Sequence, residues 1–298
     1  MNFLSLLAEL AEADPELLQR LSPRRGALEH LSRLGGKAAV ATVPLALGSM
    51  LRGAYAGSQV TVADTLTLAY TLEQLENTFY ARALGLATSA TPVSATLIPA
   101  TLRPGISTIQ THEQQHITFL TSVIQASGIA LPGALRFDFT GSKNGTQPAL
   151  FGDVFTNFDT FLIVAQLLED TGVRAYKGQL IALKDNAATL EAALRIHSVE
   201  ARHAAHIRSL RRARNADVKP WVNITDQNIT VAGKTDAVYA GEDNLTQKVT
   251  GKVAVPFRTL PIDKAGLGET SILAKVAQSF DEPMTDTTAT QLASLFIY

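Results

Sequence analysis

Four stretches between residues 62 and 214 place apolar residues at helical spacing, and each carries a glutamate inside its apolar stripe. A repeat near 3.6 residues marks one face of a helix, and that face is normally free of charge. The first stretch, 62–87, has Leu66, Ala69, Leu72, Leu75, Phe79 and Tyr80, with Thr61 or Asp64 able to cap its start. The second begins at Pro104 and runs to about Ser127, with Ile109, Ile117, Leu120 and Ile124 on its stripe and Gly128 to end it. The third spans about 156–184 through Phe158, Phe161, Leu162, Ala165, Leu168, Val173, Tyr176 and Leu180. The fourth spans about 187–214 through Leu190, Leu194, Ile196, Val199, Ile207 and Leu210. Residues 88–103 read as a connection, and 131–150, with its Pro, Gly, Ser and Asn, as a long crossover. Short, long and short connections predict two antiparallel hairpins joined by one crossover: an all-α four-helix bundle.

The acids share faces with the core. Glu73 and Glu76 lie with Ala69 and Tyr80, and Glu113 and His116 lie with Ile109 and Leu120. Glu169 lies with Leu162, Ala165, Gly172 and Tyr176, and Glu200 and His203 lie with Ala193, Ile196 and Ile207. An i, i+3 pair sits about one turn apart on one face, within reach of a single ion. Buried carboxylates without partners cost several kcal/mol each. One inward glutamate per helix gives four negative charges, which two divalent cations would balance while two neutral imidazoles complete the ligands. Such a donor set suits iron, manganese or zinc rather than calcium or magnesium. The pattern also repeats: a lone glutamate on one helix, then Glu-x-x-His on the next, as in two-metal carboxylate bundles.

The strings LTLAYTLEQLENTFYARAL, HEQQHITFL, LLEDTGVRAYKG and HSVEARHAAHIRSL resemble the ferritin-like family that includes plant and bacterial desiccation-related proteins. SFDEPMT near the end is similar to that family's C-terminal segment. The resemblance covers about 60–212 and 275–298 and implies a ferritin-like antiparallel bundle with one long crossover. It implies the ligands Glu73, Glu113, His116, Glu169, Glu200 and His203. Glu76 stands outside that six-ligand scheme, either as an extra ligand or as the partner of an arginine. The implied cofactors are two iron or manganese ions, and the implied partners are oxygen, peroxide or ferrous iron, in ferroxidase- or catalase-like chemistry. A protective stress role follows from the same resemblance, and a non-catalytic structural protein of desiccation is the alternative from a different class.

Other readings attach to the same residues. His112-Glu113-Gln114-Gln115-His116 matches the zinc-peptidase string, with both histidines on zinc and Glu113 as base. Val199 breaks that string in the second cluster, which makes His112 an outer or surface residue. His197 and His206 read as surface or flanking residues, and Tyr80 and Tyr176 as core aromatics. Arg211, Arg212 and Arg214 suit the negative end of the fourth helix. A bundle whose acids pair with arginines would need no metal.

The ends and totals add limits. Residues 1–56 read as an N-terminal arm or an export signal of the twin-arginine type, from Arg24-Arg25, the apolar stretch Ala38 to Leu51 and Ala54-Tyr55-Ala56. Export is the expectation, with a cytoplasmic protein as the alternative. The apolar stretch is too short for a stable membrane span. Residues 57–214 form the expected bundle domain, and 215–298 a loop-rich extension packed on it. Within that extension NITVAG and KVAVPFRTL read as extended, and a short helix is expected near 269–279. Cysteine is absent, so thiolate sites and disulfides are excluded. A net charge of −1 gives no sign of a nucleic-acid partner. A homo-oligomer is compatible with the pattern.

Overall fold

The computed structural model describes residues 60–88, 91–247, 255–256 and 268–298. The expected arm or signal at 1–56 lies outside them. The four expected helices are α1 (Val62–Ala83), α2 (Arg103–Ala126), α3 (Phe158–Gln179) and α4 (Ala187–Ala213). Their starts follow local rules. Thr61 and Asp64 form a reciprocal capping box at α1, Pro104 occupies the first turn of α2, and Asn157 and Asn186 cap α3 and α4. α1 stops at Ala83, earlier than the periodicity to 87 predicts, because Gly85 takes a left-handed φ of 73° and Leu86 N–H returns to Ala81 O at 2.8 Å. The first connection therefore spans 84–102 and buries Leu97 and Ile98.

α1 packs along α2 and α3 along α4, and α1 also meets α3. The crossover between α2 and α3 is not a bare linker. Phe137, Phe139, Phe151 and Phe155 are buried with Phe79 and Phe161, and the Phe79 and Phe161 rings stack at 4.8 Å. Each such ring contributes about 1.5–3 kcal/mol by burial. A second apolar cluster, with Leu66, Leu120, Ile124, Tyr176 and Ile196, lies separately in the bundle.

The extension is held onto the bundle. Among the described residues its α-helices are α5 (Glu269–Ala277), near the expected place, and α6 (Asp286–Ser294), which periodicity did not single out. α6 packs on α1 and α3. Arg174 of α3 contacts Glu242 Oε1 at 2.8 Å and donates to Glu282 O at 2.8 Å and Ala240 O at 2.7 Å. NITVAG departs from the extended reading: Asn228 and Ile229 close a 3-10 helix, Ile224–Ile229, capped by Asn223 in a box with Asp226, and the rest of the segment turns. In KVAVPFRTL, Val255–Pro256 does pair, antiparallel, with Thr246–Gln247. Among the described residues, no helix is long and apolar enough to cross a membrane.

Candidate metal centre

Glu73, Glu113, Glu169 and Glu200 are each 0% exposed, and Glu76 is 2% exposed. His116 and His203 are buried with them. Each comes from the middle of its helix, where the apolar stripe turns inward. Except for Glu76, which joins neither, their donor atoms fall into two sets, Glu73, Glu113, His116 and Glu200, and Glu113, Glu169, Glu200 and His203, with the atoms of each set within 4.8 Å of one another.

Glu113 and Glu200 belong to both sets, through different oxygens. His116 Nδ1 lies 3.2 Å from Glu113 Oε2, 3.2 Å from Glu200 Oε1 and 3.0 Å from Glu73 Oε2. His203 Nδ1 lies 2.7 Å from Glu113 Oε1, 3.6 Å from Glu169 Oε2 and 3.7 Å from Glu200 Oε2. We call these the first and second positions. Glu73 and His116 belong to the first, Glu169 and His203 to the second, and Glu113 and Glu200 face both.

The two hairpins repeat one spacing of acids, and this pseudo-twofold pattern in the sequence extends to the hydrogen bonds. Tyr80 donates to Glu169 Oε1 at 2.5 Å, and Tyr176 donates to Glu73 Oε1 at 2.5 Å. Each tyrosine follows the glutamate of its own helix by two turns and fixes the glutamate of the other. The tyrosines are core aromatics, as expected, and they also orient carboxylates. Their seven-residue spacing from a glutamate on both helices is the signal in the sequence.

His116 Nδ1 hydrogen-bonds with Glu73 Oε2 and Glu113 Oε2, but other atoms crowd together without satisfying one another. Glu113 Oε1 and His203 Nδ1 approach to 2.7 Å, yet neither finds a hydrogen bond, and the same holds for both oxygens of Glu200 and for Glu169 Oε2. Among the described residues, no lysine or arginine pairs with any of the five carboxylates. The adjacent Asp170 shows the contrast. Arg208 donates to it through Nε at 3.1 Å and Nη2 at 2.5 Å and reaches Asp226 at 2.7 Å, while Tyr239 donates to Asp170 at 2.6 Å. Among the described residues, the arginine pairing that a metal-free bundle would use is found at Asp170 and not at the five glutamates. The donor set fits two cations.

Protons carry the compensating charge in the bare protein. Burial pushes the Glu113 and Glu76 carboxyls well up, with Glu200 adding repulsion. Burial also lifts Glu169, against the pull of His203, to about 7. Burial pushes the His116 imidazole down, but Glu113, Glu200 and Glu73 outweigh it and hold His116 up to about 12. His203 is raised in the same way, against burial, by Glu169 and Glu113. Glu200 is opposed by burial yet held down to about 2 by both imidazoles. Cations would displace these protons.

Three further expectations are decided by position. His112 joins neither set, and its Nδ1 instead lies 2.9 Å from His203 Nε2, with the rings stacked. It does not share a centre with His116 as the peptidase reading requires. His206 is exposed and packs over Gly105, where an added Cβ would meet its ring at 2.7 Å. Arg211 and Arg214 reach across to α3, Arg211 donating to Gln166 Oε1 at 2.5 Å and Arg214 to Asp159 Oδ2 at 3.0 Å, rather than serving only the end of α4. A family model described as a ferritin-like domain matches residues 61–213 of the chain. No curated protein and no solved structure matches it.

Proposed function

Because this chain belongs to the ferritin-like domain family, we propose that its bundle holds two divalent metal ions, iron or manganese, and uses them on oxygen, peroxide or ferrous iron in a protective stress role. The supporting observation is the set of buried carboxylates whose close cationic partners, among the described residues, are the two histidines. Glu73 and His116 would hold one ion and Glu169 and His203 the other, with Glu113 and Glu200 offering an oxygen to each. Iron or manganese there supplies one-electron changes of oxidation state. Tyr80 and Tyr176 hold the outer carboxylates in place, and the aromatic core packs against Tyr80 through Phe79. Export through the Arg24-Arg25 segment goes with this reading, since a twin-arginine route carries folded, metal-loaded proteins.

Elemental analysis of protein purified from its native host should give about two redox-active ions per chain. Ferrous oxidation or peroxide turnover should fall by more than about 100-fold in Glu113→Ala, beyond the effect of an outer-shell change. A chain that carries no stoichiometric metal, or whose Glu113→Ala variant loses stability alone, is the structural desiccation protein instead. One zinc per chain with peptide hydrolysis would point to the peptidase.

A further inference from the structure

Glu76 is the one buried acid of the cluster that this assignment leaves unused. It is 2% exposed, its Oε2 has no hydrogen-bond partner, and no arginine reaches it among the described residues. Its pseudo-twofold counterpart explains how it fits. Glu76 follows Glu73 by three residues, and Gly172 follows Glu169 by three. A Cβ at Gly172 would lie 3.0 Å from Glu76 Oε1 and 3.6 Å from Glu200 Oε2. The missing side chain on α3 is thus the space into which the Glu76 carboxylate projects. Glu200 Oε2, the oxygen turned toward His203, borders the same space.

We propose that Glu76 is a fifth carboxylate of the centre, admitted to the second position by the absent side chain of Gly172, so that the two metal positions are unequal. This rests on the two-metal reading above. Four carboxylates already neutralise two divalent ions, and a fifth at one position adds negative charge there. The second position is therefore the tighter one for a cation. His112 strengthens the same asymmetry, since it stands behind His203, whereas its counterpart Val199 offers no such group to His116. Glu76 also borders a cavity of about 20 Å³ beneath α6, lined by Leu72, Thr171, Val238 and Phe296. That is room for about one water and lets the carboxylate adjust as an ion enters.

The test is a cobalt(II) titration of metal-depleted full-length protein, followed by visible absorption, on wild type, Glu76→Gln and Gly172→Ala. Wild type should bind in two steps whose dissociation constants differ by at least about tenfold. Glu76→Gln should weaken the tighter step about 10–100-fold and leave the weaker step within about threefold, on the scale of lost ligand support. Gly172→Ala keeps every charge but places a methyl against Glu76 Oε1, so it should weaken the same step by a smaller factor. It also decides the matter if Glu76→Gln fails to fold, because alanine is a better helix former than glycine. Two steps unchanged in both variants, or both steps weakened equally, would overturn the asymmetry and leave the two-metal reading standing. No cobalt bound by wild type would remove both.

Discussion

At His112, one side chain separates two chemistries written in the same five letters. A zinc peptidase needs His112 and His116 on one ion. Here His203 turns Nδ1 toward the carboxylates and its Nε2 toward His112 Nδ1, 2.9 Å away. An imidazole that offers Nδ1 to a metal carries its proton on Nε2, so His203 donates and His112 accepts, which fixes both tautomer and ring orientation. His112→Ala should then weaken metal binding at the second position by about 10–100-fold and leave the first unchanged. A competition titration against a chelator measures this. Because His112 is only half-buried, the metal-depleted protein should keep its stability to within about 0.5 kcal/mol. Equal weakening at both positions, or loss of hydrolytic activity in its place, would return His112 to the role the string suggests.

Among the elements, α4 carries two kinds of buried charge a little over one turn apart. Glu200 and His203 face the centre, while Arg208 faces Asp170 of α3 and Asp226 of the extension. Burial works against the Arg208 guanidinium, yet Asp170, Tyr239 and Asp226 keep it firmly charged. Its hydrogen bond to Trp221 O at 3.0 Å adds another link to the extension. Arg208→Ala leaves two buried aspartates uncompensated and should cost about 3–5 kcal/mol in urea denaturation, with or without metal. A loss below about 1 kcal/mol would mean that α4 and the extension are not coupled through this ion pair. The helices and the inward acids were legible because both depend on short-range periodicity: Glu113 and His116, or Glu200 and His203, declare a shared face by spacing alone. The Arg208 network joins residues 170, 208, 226 and 239, and no local pattern relates such positions. α6 was illegible for a related reason, since its nine residues carry mainly Thr, Ala and Ser and become a core element only against α1 and α3. The Glu76–Gly172 pairing needed the superposition of two hairpins, which sequence presents only as equal offsets from Glu73 and Glu169.

For the molecule as a whole, the charge held at the centre sets how stability varies with pH. Between pH 7 and 9 the metal-depleted native state keeps protons that the unfolded chain has released. His116 is held, against burial, up to about 12 by Glu113, Glu200 and Glu73, while an unfolded histidine titrates near ~6.5. His203 behaves likewise, and burial lifts Glu169 to about 7 and raises Glu113 well above its usual range, against ~4.3 unfolded. Glu242, raised by burial to about 8 despite Arg174, acts in the same sense. His112, His197 and His206 are pushed down by burial, and unfolded histidines, near ~6.5, keep only a minor share of their protons at pH 7, so these groups oppose the trend weakly and only near pH 7. The low value of Glu200 matters only in strong acid, where stability present above the unfolded value is lost as pH falls toward about 2. A native state that binds more protons loses stability as pH rises, by about 1.4 kcal/mol per pH unit for each extra proton. Metal ions reverse the sign, because they bind the deprotonated ligands and expel those protons. The Tm of metal-depleted protein should therefore fall from pH 7 to pH 9, while the Tm increment from saturating manganese(II) should grow across the same range. Thermal melts at both pH values check the two slopes together. His116→Ala should flatten the first slope and shrink the second, as it removes one of the retained protons and one of the ligands. Melting curves that rise with pH in the metal-depleted protein, or a manganese increment indifferent to pH, would mean that the charge at the centre is balanced by some means other than exchange between protons and cations.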